Sequence, residues 1–91
     1  MGVEWANSAG KHLIEREDAI HAIENAVYLE REFDEPRVPG HSKPWLFIGP
    51  PRKRVGPLLE VMVEVVPPRG MVIFHVMEAP QKHLDRMNDR P

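Results

Sequence analysis

Apolar positions recur with a helical period in the first third of the chain. Ile20, Ile23 and Val27 follow one another at intervals of three and four residues, with alanines beside them. This spacing places them on one side of a helix and is typical of an amphipathic helix that covers a core. The pattern predicts a helix over about residues 16–27.

A second, shorter helical pattern occurs near the C-terminus. Leu84 and Met87 lie three residues apart among charged and polar residues, and Pro80 precedes them. Proline is favoured at the first position of a helix, because its fixed φ angle suits the helix and its missing N–H group would be unpaired there anyway. We therefore predict a short final helix over residues 81–88.

Between these helices the pattern changes to that of strands. The segment 58–66 alternates between an aliphatic side and a side that carries Glu60 and Glu64, which is the period of a half-buried strand. Other segments are rich in β-branched, aromatic or aliphatic residues, as strands are. The predicted strands are Val27–Phe33, Trp45–Gly49, Leu58–Val66 and Met71–Met77, and the last three form an antiparallel meander.

Proline and glycine separate the predicted elements. Residues 34–44 hold three prolines and a glycine and are predicted to be a loop, and residues 50–57 form the turn of a hairpin. The fold class is α+β, with an N-terminal helix, an antiparallel sheet of three to four strands and a short C-terminal helix. Ninety-one residues suffice for one core, so residues 1–91 are predicted to be a single domain.

Composition indicates the cellular compartment and shows that charge is unevenly distributed along the chain. The chain has no cysteine, which excludes disulfides and thiolate chemistry and favours the cytoplasm, and no segment is apolar enough to enter a membrane. The net charge is −2, yet residues 1–50 hold nine acids against five Lys and Arg, and residues 51–91 hold five acids against seven. A phosphate-binding site is therefore expected in the second half.

Several short phrases of the sequence carry a resemblance to a known family. They lie within Lys11–Arg86 and comprise Lys11-His12, the helical phrase Glu17–Asn25, the strand Phe47–Pro50, the phrase Leu58–Val61, and Ile73–Met77 leading into Lys82. In these phrases and in the order of its elements the chain resembles the BrnT-type toxins, a branch of the RelE/ParE-like superfamily of bacterial toxin–antitoxin systems. The resemblance implies a RelE-like fold and an mRNA-cleaving toxin that a cognate antitoxin neutralises.

Cleavage of RNA without a metal needs a proton acceptor, a proton donor and a cation near the phosphate. His75 is the first candidate, because an imidazole within an apolar strand needs a buried partner or faces a cleft. Glu60 on the neighbouring predicted strand could orient it or act as the base, and Lys82 could approach from the final helix. The alternative is that His75 is a packed core residue and that Glu60 lies on a solvated face.

Contacts to the RNA backbone are predicted for basic residues. Arg52, Lys53 and Arg54 form the one dense basic cluster, on the turn between two prolines. Arg86 lies one helical turn after Lys82, and His12 belongs to the Lys-His phrase of the family. The alternative for the turn is a solvated hairpin tip, and for the helix it is charge that complements the helix dipole.

The histidines show no close spacing of the kind that metal sites use, and no cofactor motif is present, so neither a metal nor a cofactor is expected. The leading hypothesis is a metal-independent endoribonuclease that acts as a toxin, with RNA and an antitoxin as its partners. The alternative is a non-catalytic interaction module or a degenerate toxin-like protein. A homo-oligomer is among the assemblies that the sequence leaves open.

Overall fold

The computed structural model describes residues 2–53, 56–68 and 70–88 and confirms the α+β class. Strand β1 is followed by a 3-10 helix, helix α1, strands β2 to β5 and helix α2. Their bounds are β1 Gly2–Trp5, the 3-10 helix Asn7–His12, α1 Arg16–Glu24, β2 Tyr28–Glu30, β3 Trp45–Gly49, β4 Leu59–Val66, β5 Gly70–Glu78 and α2 Gln81–Asn88.

The five strands form one mixed sheet in the order β1-β5-β4-β3-β2. The meander of β3, β4 and β5 is antiparallel as predicted, and β2 adds to it in the same manner. The prediction that the chain starts with a helix and that the sheet is wholly antiparallel with three to four strands is wrong. Strand β1 precedes the helix, pairs with β5 in parallel and brings the number of strands to five. This pairing joins the two distant ends of the chain, a contact that local periodicity cannot predict.

Helix α1 is three residues shorter than predicted. It ends at Glu24, and the N–H group of Val27 donates a hydrogen bond to the carbonyl oxygen of Ile48 at 2.8 Å. Val27, the last apolar residue of the helical pattern, therefore lies outside the helix and is already bonded to β3. The predicted first strand, Val27–Phe33, is correspondingly reduced to the three residues of β2.

One face of the sheet holds the hydrophobic core, which we call the core face. Helix α1 contributes Ala19 and Ala22 to a cluster that includes Val61 and Val63 of β4. The helix lies very close to β3, because a Cβ atom added at Gly49 would lie 2.2 Å from the carbonyl oxygen of Ala22. Small residues in both elements permit this contact.

The opposite face carries the alternate residues of β4, namely Glu60, Met62 and Glu64, and we call it the glutamate face. The sequence left open that these carboxylates lie on a solvated face, but Glu60 is only 2% exposed and Glu64 only 8%. Helix α2 and the loop 31–44 cover this face, as the contacts of His83 and Arg37 with the two glutamates show. The candidate site lies beneath this cover.

Candidate functional site

A β-bulge between β4 and β5 directs His75 to the glutamate face. Met62 pairs with His75 and the next residue, Val63, pairs with Ile73, so Phe74 is left without a partner in the ladder. An extra residue of this kind changes which way the neighbouring side chains point. The ring of Phe74 lies under the guanidinium group of Arg37, 4.0 Å from its centroid, and His75 reaches Glu60 on the same face.

Glu60 bonds two imidazoles that come from different elements. Its Oε2 atom lies 2.6 Å from Nε2 of His75 on β5, and its Oε1 atom forms a short hydrogen bond with Nδ1 of His83 on α2. The side chain of Glu60 is 3% exposed, that of His83 10% and that of His75 25%. A buried carboxylate thus holds one histidine that is partly exposed, His75, and one that is largely buried, His83.

The ionisation of Glu60 decides the direction of these hydrogen bonds. Burial by itself would raise the pKa of this carboxyl, but the hydrogen bonds from His75 and His83 outweigh it, so the pKa lies below its ordinary value. An ionised carboxylate only accepts hydrogen bonds, so both rings must donate to it. The protons then lie on Nε2 of His75 and Nδ1 of His83, and the other nitrogen of each ring has no hydrogen-bond partner among the described residues.

A third histidine lies beside His75. His12, at the end of the 3-10 helix, is exposed, and its ring centroid is 5.5 Å from that of His75 in an edge-to-face arrangement. The 3-10 helix is held against β5 by a hydrogen bond of 2.7 Å from the hydroxyl group of Ser8 to the carbonyl oxygen of Phe74. The sequence predicted His12 as an RNA contact, and the structure places it at the same site as His75.

Two further predicted residues, Lys82 and Arg86, lie on α2 beside a groove. The groove has a volume of about 290 Å³ and is lined by Phe33, Asp34, Met62, Lys82, His83 and Arg86. Arg86 also donates a hydrogen bond of 2.8 Å to Glu30 of β2, which reduces its free positive charge. Within the part of the chain that the structure describes, Lys82 takes part in no ion pair or hydrogen bond. We call this feature the Phe33 groove.

The basic turn lies elsewhere, at the N-terminal end of α1. Arg52 donates hydrogen bonds of 2.9 Å to both Asp18 and Glu15, and its backbone N–H group also bonds Asp18. The hydrogen bond from Arg52 lowers the pKa of Asp18, and the same bond raises the pKa of Arg52. Lys53 is exposed, and Arg54 lies outside the described residues. Of this turn, the structure therefore places Arg52 against α1 and not beside His75.

A second carboxylate on the glutamate face fastens the loop 31–44. Glu64 accepts a hydrogen bond of 2.8 Å from Nε of Arg37, and His41 lies 3.2 Å away. Burial by itself would raise the pKa of Glu64, but the bond from Arg37 and the contact with His41 outweigh it and lower that pKa below its ordinary value. These contacts show that Glu64 anchors the loop 31–44 to the sheet.

His83 is the residue of this site that the sequence did not single out. Its position four residues before Met87 puts it on the apolar side of α2, and this spacing was the signal available for its burial. Among the described residues no group of three or more His, Asp and Glu side chains is arranged to hold a metal ion. No helix in the described part of the chain has the length and apolarity needed to cross a membrane.

Comparison of the chain with protein-family models, with curated proteins and with solved structures finds no match. The resemblance to BrnT-type toxins therefore stays a prediction from the quoted phrases.

Proposed function

We propose that this chain is a metal-independent endoribonuclease whose acid and base are histidines held by Glu60. The observation that carries the proposal is the pair of hydrogen bonds from His75 and His83 to one buried carboxylate. Because both bonds end on the same carboxylate, the two rings are neighbours on the glutamate face. Two neighbouring imidazoles can act as acid and base on one phosphodiester.

The two rings can supply a proton acceptor and a proton donor. Cleavage needs one ring in its neutral form, which accepts a proton, and the other in its protonated form, which donates one. The neutral ring takes the proton of the ribose 2′-hydroxyl, and the 2′-oxygen attacks the phosphorus. The 5′-oxygen of the next nucleotide leaves with the proton of the other ring. The products are a 2′,3′-cyclic phosphate and a free 5′-hydroxyl.

Glu60 and Lys82 have different parts in this scheme from the two histidines. Glu60 is too deeply buried to touch the substrate. Of the two roles that the sequence left open for it, orienting His75 or acting as the base, we propose the first, which makes Glu60 a positioning residue. Lys82 is exposed beside His83 and supplies a cation for the charge that develops on the phosphate. His12 lies close enough to His75 to contact the same RNA.

The test is cleavage of a single-stranded RNA panel by the purified chain in the presence of a chelator. We expect 2′,3′-cyclic phosphate ends, and we expect His83→Gln to lower the cleavage rate by roughly 10²–10⁴-fold, the usual contribution of one acid or base. His21→Gln is the matched control, because His21 is a half-buried histidine that bonds the carbonyl oxygen of Pro50 instead. A pure, folded chain that cleaves no RNA, or equal loss in both variants, overturns the proposal.

In a bacterial host, such an enzyme would act as a toxin. Expression of the chain alone should then slow growth, and a co-expressed antitoxin encoded beside it should restore growth by covering the glutamate face. If the His83→Gln variant slows growth as much as the unchanged protein does, toxicity does not depend on RNA cleavage. RNA and the antitoxin are the partners that this proposal names.

A non-catalytic interaction module is the second candidate, and one observation favours it. Three arginines that could bind phosphate are paired with carboxylates, since Arg37 bonds Glu64, Arg52 bonds Asp18 and Glu15, and Arg86 bonds Glu30. Arginines that are paired with carboxylates contribute less to RNA binding than free ones do. The net charge of −2 also disfavours binding to a polyanion such as RNA. Stable binding of a protein partner by a chain that does not cleave RNA would support this candidate.

A further inference from the structure

The Phe33 groove lies between two separate parts of the cover of the glutamate face. The loop 31–44 supplies Phe33 and Asp34, helix α2 supplies Lys82 and His83, and Met62 of β4 is also part of the lining. Its volume of about 290 Å³ is near the lower end of the range for ligand pockets, roughly 300–1,000 Å³. The groove is therefore suited to a ligand the size of one nucleotide.

The backbone holds Phe33 in this groove by an uncommon conformation. Glu32 has a φ angle of 49°, in the left-handed region that side chains other than glycine adopt infrequently. The N–H group of Phe33 donates a hydrogen bond of 3.0 Å to the carbonyl oxygen of Pro44, which closes the loop on itself. An uncommon conformation that is held in place by its surroundings points to a functional position.

The groove combines an aromatic ring with an unpaired cation. The Phe33 ring lies edge-to-face with the ring of His83, with 6.4 Å between their centroids, and the guanidinium group of Arg86 is 5.7 Å from it. Lys82 has no ion-pair partner among the described residues. Proteins bind single-stranded RNA with these two elements, an aromatic ring against an unpaired base and a cation at the phosphate.

We propose that the Phe33 groove is a binding subsite for one unpaired nucleotide of single-stranded RNA, with its base against Phe33 and its phosphate at Lys82. The subsite adjoins the catalytic pair through His83, which lines the groove and bonds Glu60. It would place the phosphate next to the free Nε2 atom of that ring. The inference rests on the proposed function for its choice of RNA, but the binding can be measured without cleavage.

The experiment uses a fluorescein-labelled 2′-O-methyl RNA hexamer, which lacks the 2′-hydroxyl and cannot be cleaved, and follows binding by fluorescence anisotropy. Phe33→Ala should weaken binding roughly 5- to 100-fold, the usual effect of removing an aromatic side chain that stacks on a base. Phe33→Leu keeps an apolar side chain without the ring and should lose nearly as much. The same hexamer with one abasic position should bind less tightly than the intact one, and the Phe33 variants should bind it as the unchanged protein does.

Lys82 is tested by the salt dependence of the same binding. Lys82→Ala should reduce the slope of log affinity against log salt by about one, the value for one phosphate contact. Lys43→Ala is the control, since Lys43 is exposed and precedes β3. Unchanged affinity in Phe33→Leu and an unchanged slope in Lys82→Ala, in variants with unchanged melting temperature, overturn the subsite. Binding that depends on both residues in a chain that cleaves no RNA would retain the subsite and reject the ribonuclease.

Discussion

Nε2 of His75 lies 2.6 Å from Oε2 of Glu60, although the two residues are fifteen positions apart and belong to different strands. The bulge at Phe74 is the cause, since it directs His75 to the glutamate face rather than into the aliphatic core. The contact with His83 on the same carboxylate then ties α2 to the sheet. Glu60 thus links the β-bulge in β5 to the packing of α2 on the sheet.

The close approach of α1 to β3 is the first feature to test. Gly49→Ala adds a Cβ atom that would lie 2.2 Å from the carbonyl oxygen of Ala22, so the helix has to move away from the sheet. We expect the free energy of unfolding to fall by about 1–3 kcal/mol or more, as overpacking of a core does. Chemical denaturation measures this change.

The control for this substitution is Gly2→Ala, since a Cβ atom at Gly2 meets nothing within 4 Å. It should leave the stability within about 0.5 kcal/mol of the unchanged protein, the usual range for a surface substitution. Equal effects of the two substitutions would contradict the tight packing of α1 on β3.

Glu64 gives a prediction about pH. Its pKa is lower in the folded chain than its ordinary value of 4.5. The stabilisation is therefore fully present above that ordinary value and is lost as the pH falls through the lower folded value. Thermal melts should lose stability more steeply below pH 4.5 in the unchanged protein than in Glu64→Gln.

At neutral pH we expect Glu64→Gln to lower the free energy of unfolding by about 1–2 kcal/mol, because the charged hydrogen bond from Arg37 is lost. The effect is no larger because the Arg37 side chain is partly exposed and solvent screens the pair. Glu35→Gln is a control at an exposed acid of the same loop, and it should follow the unchanged protein at every pH. Parallel curves for Glu64→Gln and the unchanged protein would show that the Arg37 pair does not stabilise the fold.

The basic turn is tested by comparing two adjacent residues. Arg52 is bound to Asp18 and Glu15, so its charge is already balanced, whereas Lys53 is exposed beside it. If the turn contacts RNA, Lys53→Ala should reduce the salt slope of RNA binding by about one, and Arg52→Ala should reduce it by less. Filter binding over a range of salt concentrations measures both slopes.

A slope that is unchanged in both variants would identify the turn as a solvated hairpin tip, the alternative that the sequence left open. A larger effect in Arg52→Ala than in Lys53→Ala would show that RNA displaces the carboxylates from Arg52. Either result assigns a role to Arg52 and Lys53, which are not part of the lining of the Phe33 groove.

Periodicity predicted much of the fold because the strands of the meander and α2 each have a strong local pattern. The bounds of β3 and of α2 agree with the predicted segments. Strand β1 was missed because four residues that include a glycine and a glutamate carry no such pattern. Its pairing with β5 depends on the folded chain as a whole.

The candidate site was predictable only in part, for the same reason. Alternation placed Glu60 on the less apolar side of β4, and the interrupted apolar run singled out His75. Nothing local indicated that α2 would cover this side and bring His83 to Glu60. The position of Phe33 was still less accessible, because it depends on the left-handed conformation of Glu32 and on the bond to Pro44.

His75→Gln separates the catalytic and the structural accounts of the glutamate face. Glutamine has a similar volume and can still donate one hydrogen bond to Glu60, so we expect the melting temperature to change little. The cleavage rate should fall roughly 10²–10⁴-fold, because an amide can neither accept nor donate a proton in the reaction. Toxicity in a bacterial host should disappear with it.

The matched control is His41→Gln, because His41 is also a histidine paired with a buried glutamate of the same face, at 3.2 Å from Glu64. That variant should cleave RNA as the unchanged protein does. If His75 is a packed core residue instead, His75→Gln should lower the stability by about 1–3 kcal/mol through an unsatisfied buried polar group, with the activity per folded molecule unchanged. Thermal melts and cleavage assays on the same preparation distinguish the two, and a destabilised but fully active variant would remove His75 from the site.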